Sequence, residues 1–244
     1  MKFSKAKITG IIILLIIIAL GAVCAIYLSD YYHASAEAMN DLQSPPASIE
    51  VLQNDHRIDL IPADPIAGLI FYPGGKVQFE AYVPLLEACA EKGILCVMPK
   101  MPGNLAVLDP NAADGIQADY PQISKWYMGG HSLGGVMAAN YIASHTDDFS
   151  GLVLLAAYST KDLTQSGLRV ISIYGSEDGV LNMEKMQASK QNLPQDAAES
   201  VIEGGCHAYF GSYGEQDGDG KAEISREAQI GQAAAAIEAF VLAS

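Results

Sequence analysis

The fold of this chain is restricted above all by a serine that stands between two glycines, directly after an apolar run. The serine is Ser132, and Gly130 and Gly134 each lie two positions from it. Residues 125–129 are mostly bulky and apolar and predict a strand, whereas residues 134–145 predict a helix. A sharp turn between the two requires glycines, because a Cβ there would collide with neighbouring backbone. The pattern therefore predicts a nucleophile elbow.

Chemistry at such a serine needs a carboxylate and a histidine later in the chain, each after a further strand. Without them, the pattern would be a glycine-rich turn with an incidental serine. Residues 169–174 are rich in β-branched side chains and predict a strand, and residues 175–180 form a turn with two carboxylates. Asp178 is the predicted acid and Glu177 is the alternative. Either carboxylate would otherwise be a solvated turn residue or a helix N-cap.

The chain has five histidines, so the general base can be sought by elimination. Four of them are unsuitable. His33 lies in a linker and His56 in a polar turn, His131 directly precedes the serine, and His145 ends the helix that follows it. His207 remains. It follows the predicted strand 199–202 and a pair of glycines. From that position its ring can reach the carboxyl edge of a sheet, and His207 is therefore the predicted base.

Predicted strands and helices alternate along most of the chain. Further strands are predicted at 49–52, 57–61, 68–72, 94–98 and 151–157, and helices around 82–89, 110–117, 183–191 and 225–242. This alternation indicates an α/β fold with a doubly wound, mostly parallel sheet that is covered by helices on both faces. The connection between Ala157 and Arg169 is only about a dozen residues long. No lid domain is therefore predicted between these two strands.

Five sequence motifs carry a resemblance to a known family. They are Phe71–Val77, Lys100–Pro102 with Asn104–Val107, Gly130–Gly135, Tyr174–Gly179 and Gly205–Gly211. With these motifs the chain resembles the alpha/beta hydrolases over about residues 68–242, and more narrowly a compact bacterial branch, membrane-anchored or secreted, whose substrates are unsettled. The resemblance implies a catalytic triad of Ser132, Asp178 and His207 and esterase-type chemistry.

A serine hydrolase also needs two backbone N–H groups that stabilise the oxyanion of the tetrahedral intermediate. Leu133, the residue after the serine, is predicted to supply one of them. Gly75 is predicted to supply the other, with Lys76 as the alternative, because the glycine pair after Pro73 lets bare backbone come close. Many members of the superfamily begin this loop with His-Gly, and Pro73 stands where that histidine often does.

The N-terminal segment predicts a signal anchor. Residues 8–28 are uncharged and mostly aliphatic, and a helix of this length can cross a hydrocarbon core of ~30 Å. Lys2, Lys5 and Lys7 precede the segment and Asp30 follows it. This charge distribution predicts a cytoplasmic N terminus and a catalytic domain outside the cell membrane. The alternative is a secreted enzyme, produced by signal-peptide cleavage at the small residues Ala34, Ser35 and Ala36.

The predicted organisation has three parts: a transmembrane helix at 1–28, a linker at 29–48 and an alpha/beta-hydrolase domain at 49–244. The chain has 14 basic and 28 acidic side chains, so nucleic acid and anionic headgroups would be repelled. Residues 213–221, which include Glu215, Asp217 and Asp219, are predicted to form a solvated loop rather than a cation site. No cofactor, metal, nucleic acid or protein partner is predicted.

The predicted function is a serine hydrolase that cleaves carboxylic esters or related small acyl compounds through an acyl-enzyme on Ser132. Two other kinds of function remain open on the sequence. The same triad would serve an acyltransferase or an amidase. The fold could also serve a non-catalytic envelope-binding module, since a fold does not by itself determine a function.

Overall fold

The structure is a computed structural model that describes residues 5–243. The chain divides into two compact units, one ending at Tyr31 and the other beginning at Tyr32. In the first unit, helix α1 extends over Lys5–Ser29, and its part Ile11–Ser29 is long and apolar enough to cross a membrane. A signal sequence near the N terminus meets the same criteria. Lys2, one of the three flanking lysines, lies outside the described residues.

The second unit is built on one sheet, which has eight strands in the part of the chain that the structure describes. In chain order the strands are β1 (Ile49–Gln53), β2 (Arg57–Pro62), β3 (Ala67–Tyr72), β4 (Ile94–Pro99), β5 (Trp126–His131), β6 (Gly151–Leu155), β7 (Arg169–Gly175) and β8 (Ala198–Ile202). Their order across the sheet is β1-β2-β4-β3-β5-β6-β7-β8. The pairs β1–β2 and β2–β4 are antiparallel, and the other pairs are parallel. The predicted α/β fold with a mostly parallel sheet is confirmed.

Helices cover both faces of this sheet. They are α2 (Ala36–Gln43), α3 (Val83–Ala90), α4 (Leu133–Ile142), α5 (Met183–Ser189) and α6 (Arg226–Leu242). Strand β3 is buried along its whole length, and its successive side chains enter opposite layers. Leu69 and Phe71 pack in the core with α3 and α6, whereas Ile70 and Tyr72 pack in the core with α4. Burial on both faces explains why the parallel strands are nearly continuous apolar runs.

The α-helix predicted around residues 110–117 is wrong. The stretch forms turns that lead into a short 3-10 helix, and Gly115 has a left-handed φ of 79°. The hydroxyl of Tyr72 donates to the carbonyl of Pro110 and accepts from the amide of Ala113. In a helix the Pro110 carbonyl would accept from the Asp114 amide, but that amide donates to the Asn111 carbonyl instead. A tertiary contact therefore replaces the local pattern here.

The connection between β6 and β7 is short, as predicted. Residues 156–168, all of which the structure describes, contain turns and bends but no helix or strand. Leu163 and Leu168 of this connection are buried in the core. The connection therefore lies against the domain, and no lid domain is inserted at this point.

Part of the segment predicted as a linker packs into the second unit. We call residues 32–43 the N-terminal strap. Its helix α2 buries Ala38 completely and Leu42 almost completely. Ser35 caps this helix by accepting a hydrogen bond from the Ala38 amide, and its hydroxyl lies 2.7 Å from that of Ser212. Tyr32 forms a parallel bridge with Val77. The strap is thus attached to the domain by burial and by hydrogen bonds.

Candidate active site

Ser132 occupies the turn between β5 and α4, and its backbone is strained. Its φ is 52° and its ψ is −124°, a conformation that is rare for a residue with a side chain. A Cβ added to Gly134 would lie 2.3 Å from the carbonyl oxygens of Tyr72 and Pro73. One added to Gly130 would lie 2.6 Å from the backbone of Gly134. At positions 130 and 134 the neighbouring backbone is therefore too close for any residue but glycine.

Asp178 and His207 form a buried pair at the ends of β7 and β8. Oδ2 of Asp178 lies 2.8 Å from Nδ1 of His207, and both side chains are only 1% exposed. Oδ1 of Asp178 accepts hydrogen bonds from the amides of Val180 and Leu181 at 2.9 and 2.7 Å. These amides fix the carboxylate in its orientation. Glu177, the alternative acid, instead accepts a hydrogen bond from the hydroxyl of its neighbouring serine.

The other ring nitrogen of His207 is available for chemistry. Nε2 is buried and has no hydrogen-bond partner among the described residues. His207 and Ser132 line one cavity of about 230 Å³, whose wall is otherwise mostly apolar and includes Val136, Tyr158 and Leu181. A larger cavity of about 330 Å³ lies beside Cys206, but neither Ser132 nor His207 lines it. Ser132 and His207 thus line the smaller cavity, and Asp178 contacts His207 behind it.

The loop after β3 brings a bare backbone next to the elbow. A Cβ added to Gly75 would lie 2.7 Å from Cδ2 of Leu133, so the Leu133 side chain packs directly against the backbone of Gly75. The amide of Lys76, the alternative donor, gives its hydrogen bond to the carbonyl of Asn104 at 2.8 Å. No described residue accepts from the amides of Gly75 and Leu133. These two N–H groups can therefore donate to a ligand.

Comparison with known proteins gives the family. Residues 68–231 match the sequence profile of the alpha/beta hydrolase family, and this is more than half of the 244 residues. The chain belongs to the alpha/beta hydrolase family. No curated protein matches it.

Solved structures share the fold of this alpha/beta hydrolase at low sequence identity. Est1E from Butyrivibrio proteoclasticus is 14% identical with a TM-score of 0.58, and the match covers 81% of this chain and 100% of that protein. A monoacylglycerol lipase from Paleococcus ferrophilus is 16% identical with a TM-score of 0.57, covering 80% and 100%. A predicted CIB-like hydrolase from Thermoplasma acidophilum is 13% identical with a TM-score of 0.57, covering 78% and 97%. At these identities the likeness concerns the fold.

Tyr82 and His131 form a buried hydrogen-bonded relay beside the candidate site, which the sequence does not reveal. The hydroxyl of Tyr82 accepts from the Gly74 amide at 3.1 Å and lies 2.8 Å from Nδ1 of His131. Burial, and then the neighbouring His207, hold the pKa of His131 well below its usual value, so its ring is neutral. The relay joins the loop after β3 to the elbow. The sequence predicts Tyr82 only as the first residue of a helix, and it excludes His131 as the base.

A second missed residue is Asp219, in the segment predicted as a solvated loop. Burial raises its pKa, but hydrogen bonds from the amides of Ala208, Gly179 and His207 outweigh this effect, and the net shift is downward. The half-buried carboxylate is therefore held by backbone amides of the protein and not by solvent alone. Among the described residues, no group of three or more potential ligands that could hold a metal ion is found.

Proposed function

We propose that this alpha/beta hydrolase is a serine hydrolase that cleaves carboxylic esters of short acyl groups. One observation carries the proposal. Asp178 holds Nδ1 of His207 at 2.8 Å, and the unpartnered Nε2 belongs to a ring that lines the same cavity as Ser132. This arrangement supports the proposal, because a hydroxyl nucleophile needs a nearby base and a group that orients that base.

In the proposed reaction, Oγ of Ser132 attacks the carbonyl carbon of the ester while Nε2 of His207 takes the hydroxyl proton. Asp178 keeps the imidazole in the tautomer with a proton on Nδ1 and stabilises the imidazolium that forms. The amides of Leu133 and Gly75 donate to the oxyanion, and each such donor is typically worth ~2.7–4 kcal/mol in the transition state. The bond to the leaving alkoxide then breaks as His207 returns the proton. Water repeats the attack, which releases the acid and restores Ser132.

The size and lining of the cavity support small acyl groups. Pockets for drug-sized ligands usually enclose roughly 300–1,000 Å³, and the cavity at Ser132 has about 230 Å³. Two structural neighbours are consistent with acyl chemistry by their names. One is a monoacylglycerol lipase, and Est1E has been solved with ferulic acid, a carboxylic acid, bound.

The proposed location is the cell membrane, with α1 as a single-pass anchor and the catalytic unit outside. The support is the apolar span Ile11–Ser29 together with the lysines on its N-terminal side.

The proposal is tested with the full chain in detergent, by labelling with a fluorophosphonate probe. We expect the parent to be labelled and Ser132→Ala not to be. Ser144→Ala, which removes an exposed serine just beyond α4, is the matched control and should label like the parent. p-Nitrophenyl acetate and butyrate should be cleaved with a kcat/KM at least ~10-fold above that for the palmitate ester. Equal labelling of the parent and Ser132→Ala would reject the proposal.

A further inference from the structure

The carboxylate of Asp219 accepts four backbone hydrogen bonds. Its Oδ1 accepts from the amides of Gly179, His207 and Gly220 at 3.1, 3.1 and 2.8 Å. Its Oδ2 accepts from the amide of Ala208 at 2.8 Å. Bonds to a charged acceptor are about twice as strong as bonds between neutral groups. One side chain thus binds two loops that come from different strands.

The two loops are those that carry the acid and the base. Gly179 directly follows Asp178 at the end of β7, and His207 is itself one of the donors in the loop after β8. The backbones also touch. A Cβ added to Gly179 would lie 2.6 Å from the carbonyl oxygen of Gly218, and one added to Gly220 would lie 1.8 Å from that of Glu177. The segment that carries Asp219 therefore closes tightly over the acid loop.

We propose that Asp219 is a positioning residue that sets the separation of Asp178 and His207. Its hydrogen bonds go to backbone amides and not to the imidazole ring or to Ser132, so it acts through the backbone of the two loops. This inference rests on the proposed serine hydrolase function, because the separation of acid and base matters only if His207 transfers a proton. A misplacement of about 1 Å in a catalytic group can lower a rate about 10²-fold.

The experiment measures p-nitrophenyl butyrate hydrolysis by the full chain in detergent. Asp219→Ala should lower kcat about 10²-fold with KM within about 3-fold of the parent, because binding is kept while proton transfer is impaired. Asp219→Asn should lower kcat only about 10-fold, because its amide oxygen can keep the bonds to Gly179 and His207 while its NH₂ faces the Ala208 amide. Asp217→Asn is the matched control. It makes the same charge change on an exposed neighbour and should leave kcat and KM unchanged.

Thermal unfolding of each variant separates positioning from loss of the fold. A kcat for Asp219→Ala equal to that of Asp217→Asn would overturn the inference. A fall in activity that only matches the unfolded fraction of the variant, or a change in KM without a change in kcat, would also overturn it. If Asp219→Ala does not fold, Asp219→Asn decides, and a parental kcat for it would overturn the inference. Failure of the proposed function gives a different result, namely a parent that neither hydrolyses the ester nor takes the fluorophosphonate label.

Discussion

At the scale of single residues, the hydroxyl of Tyr82 connects the loop after β3 to the elbow. Its replacement in Tyr82→Phe leaves the Gly74 amide and Nδ1 of His131 buried without partners. An unsatisfied buried group costs ~1–3 kcal/mol. We expect the free energy of unfolding to fall by about 2 kcal/mol or more. We also expect kcat/KM for p-nitrophenyl butyrate to fall about 10-fold, because the amide of Gly75 loses its fixed position.

Tyr120→Phe is the control for this prediction. The Tyr120 hydroxyl donates to the buried carboxylate of Asp59 at 2.5 Å, outside the candidate site, so its removal should also lower stability. Its kcat/KM should stay at the parental value when corrected for the folded fraction. Unchanged kcat/KM in Tyr82→Phe would show that the relay is structural only.

Residues in local motifs were predictable, and residues that act across loops were not. Ser132 stands in a five-residue pattern, and Asp178 and His207 each follow a strand in a turn rich in glycine. Asp219 instead binds backbone groups 12 and 40 residues away, at His207 and Gly179. No spacing rule connects a carboxylate to amides at such distances. Its neighbours in the chain are polar and exposed, so the sequence indicated a solvated loop.

At the scale of elements, the pattern of apolar residues identified the strands. It did not predict the structure of segments whose conformation is determined by tertiary contacts. The buried parallel strands are apolar runs, and β3, β5 and β7 lie within a few residues of their predicted bounds. The stretch 110–117 is held by the Tyr72 hydroxyl instead of forming a helix. The N-terminal strap has a polar composition typical of a linker, yet it is ordered by contacts with the rest of its unit.

The strap makes a testable contribution to the unit that begins at Tyr32. Tyr32 donates its amide to the carbonyl of Lys76 at 2.7 Å and accepts from the Gln78 amide at 2.9 Å. Its hydroxyl accepts from the Asp217 amide at 3.2 Å. These are the hydrogen bonds of Tyr32 alone. At about 1 kcal/mol each, with ~2–4 °C per kcal/mol for a domain of this size, their loss predicts a fall in Tm of about 6–12 °C or more when the strap is cut.

To test this prediction, Tm and kcat/KM are measured for one chain that begins at residue 30 and for another that begins at residue 40. The first keeps the strap and should have the kcat/KM of the full chain. The second also loses Ala38, which is fully buried, and should show the lower Tm and at least ~3-fold lower kcat/KM, because Lys76 follows the proposed oxyanion donor. Equal Tm values for the two chains would contradict this prediction.

At the scale of the whole molecule, the excess of acidic over basic side chains and the apolar α1 make the proposed membrane attachment testable. With 28 acidic and 14 basic side chains, the chain has no net electrostatic attraction to anionic headgroups. Attachment should therefore depend on the hydrophobic span Ile11–Ser29. We expect the protein to stay in the membrane fraction through washes with 1 M salt (~3 Å Debye length), and to be released when residues 1–28 are deleted.

The strap also bears on the choice between an anchor and a cleaved signal peptide. Cleavage after Ala36 would remove Tyr32 and the N-cap Ser35, and the loss of a cap costs ~1 kcal/mol by itself. A cut there would weaken the folded unit, so we expect the protein purified from membranes to retain its N-terminal residues when measured by intact mass.

Externally added protease should digest the catalytic unit on intact spheroplasts. A mature protein in the medium that begins at Glu37 and has the kcat/KM of the full chain would contradict both the anchor and the contribution of the strap.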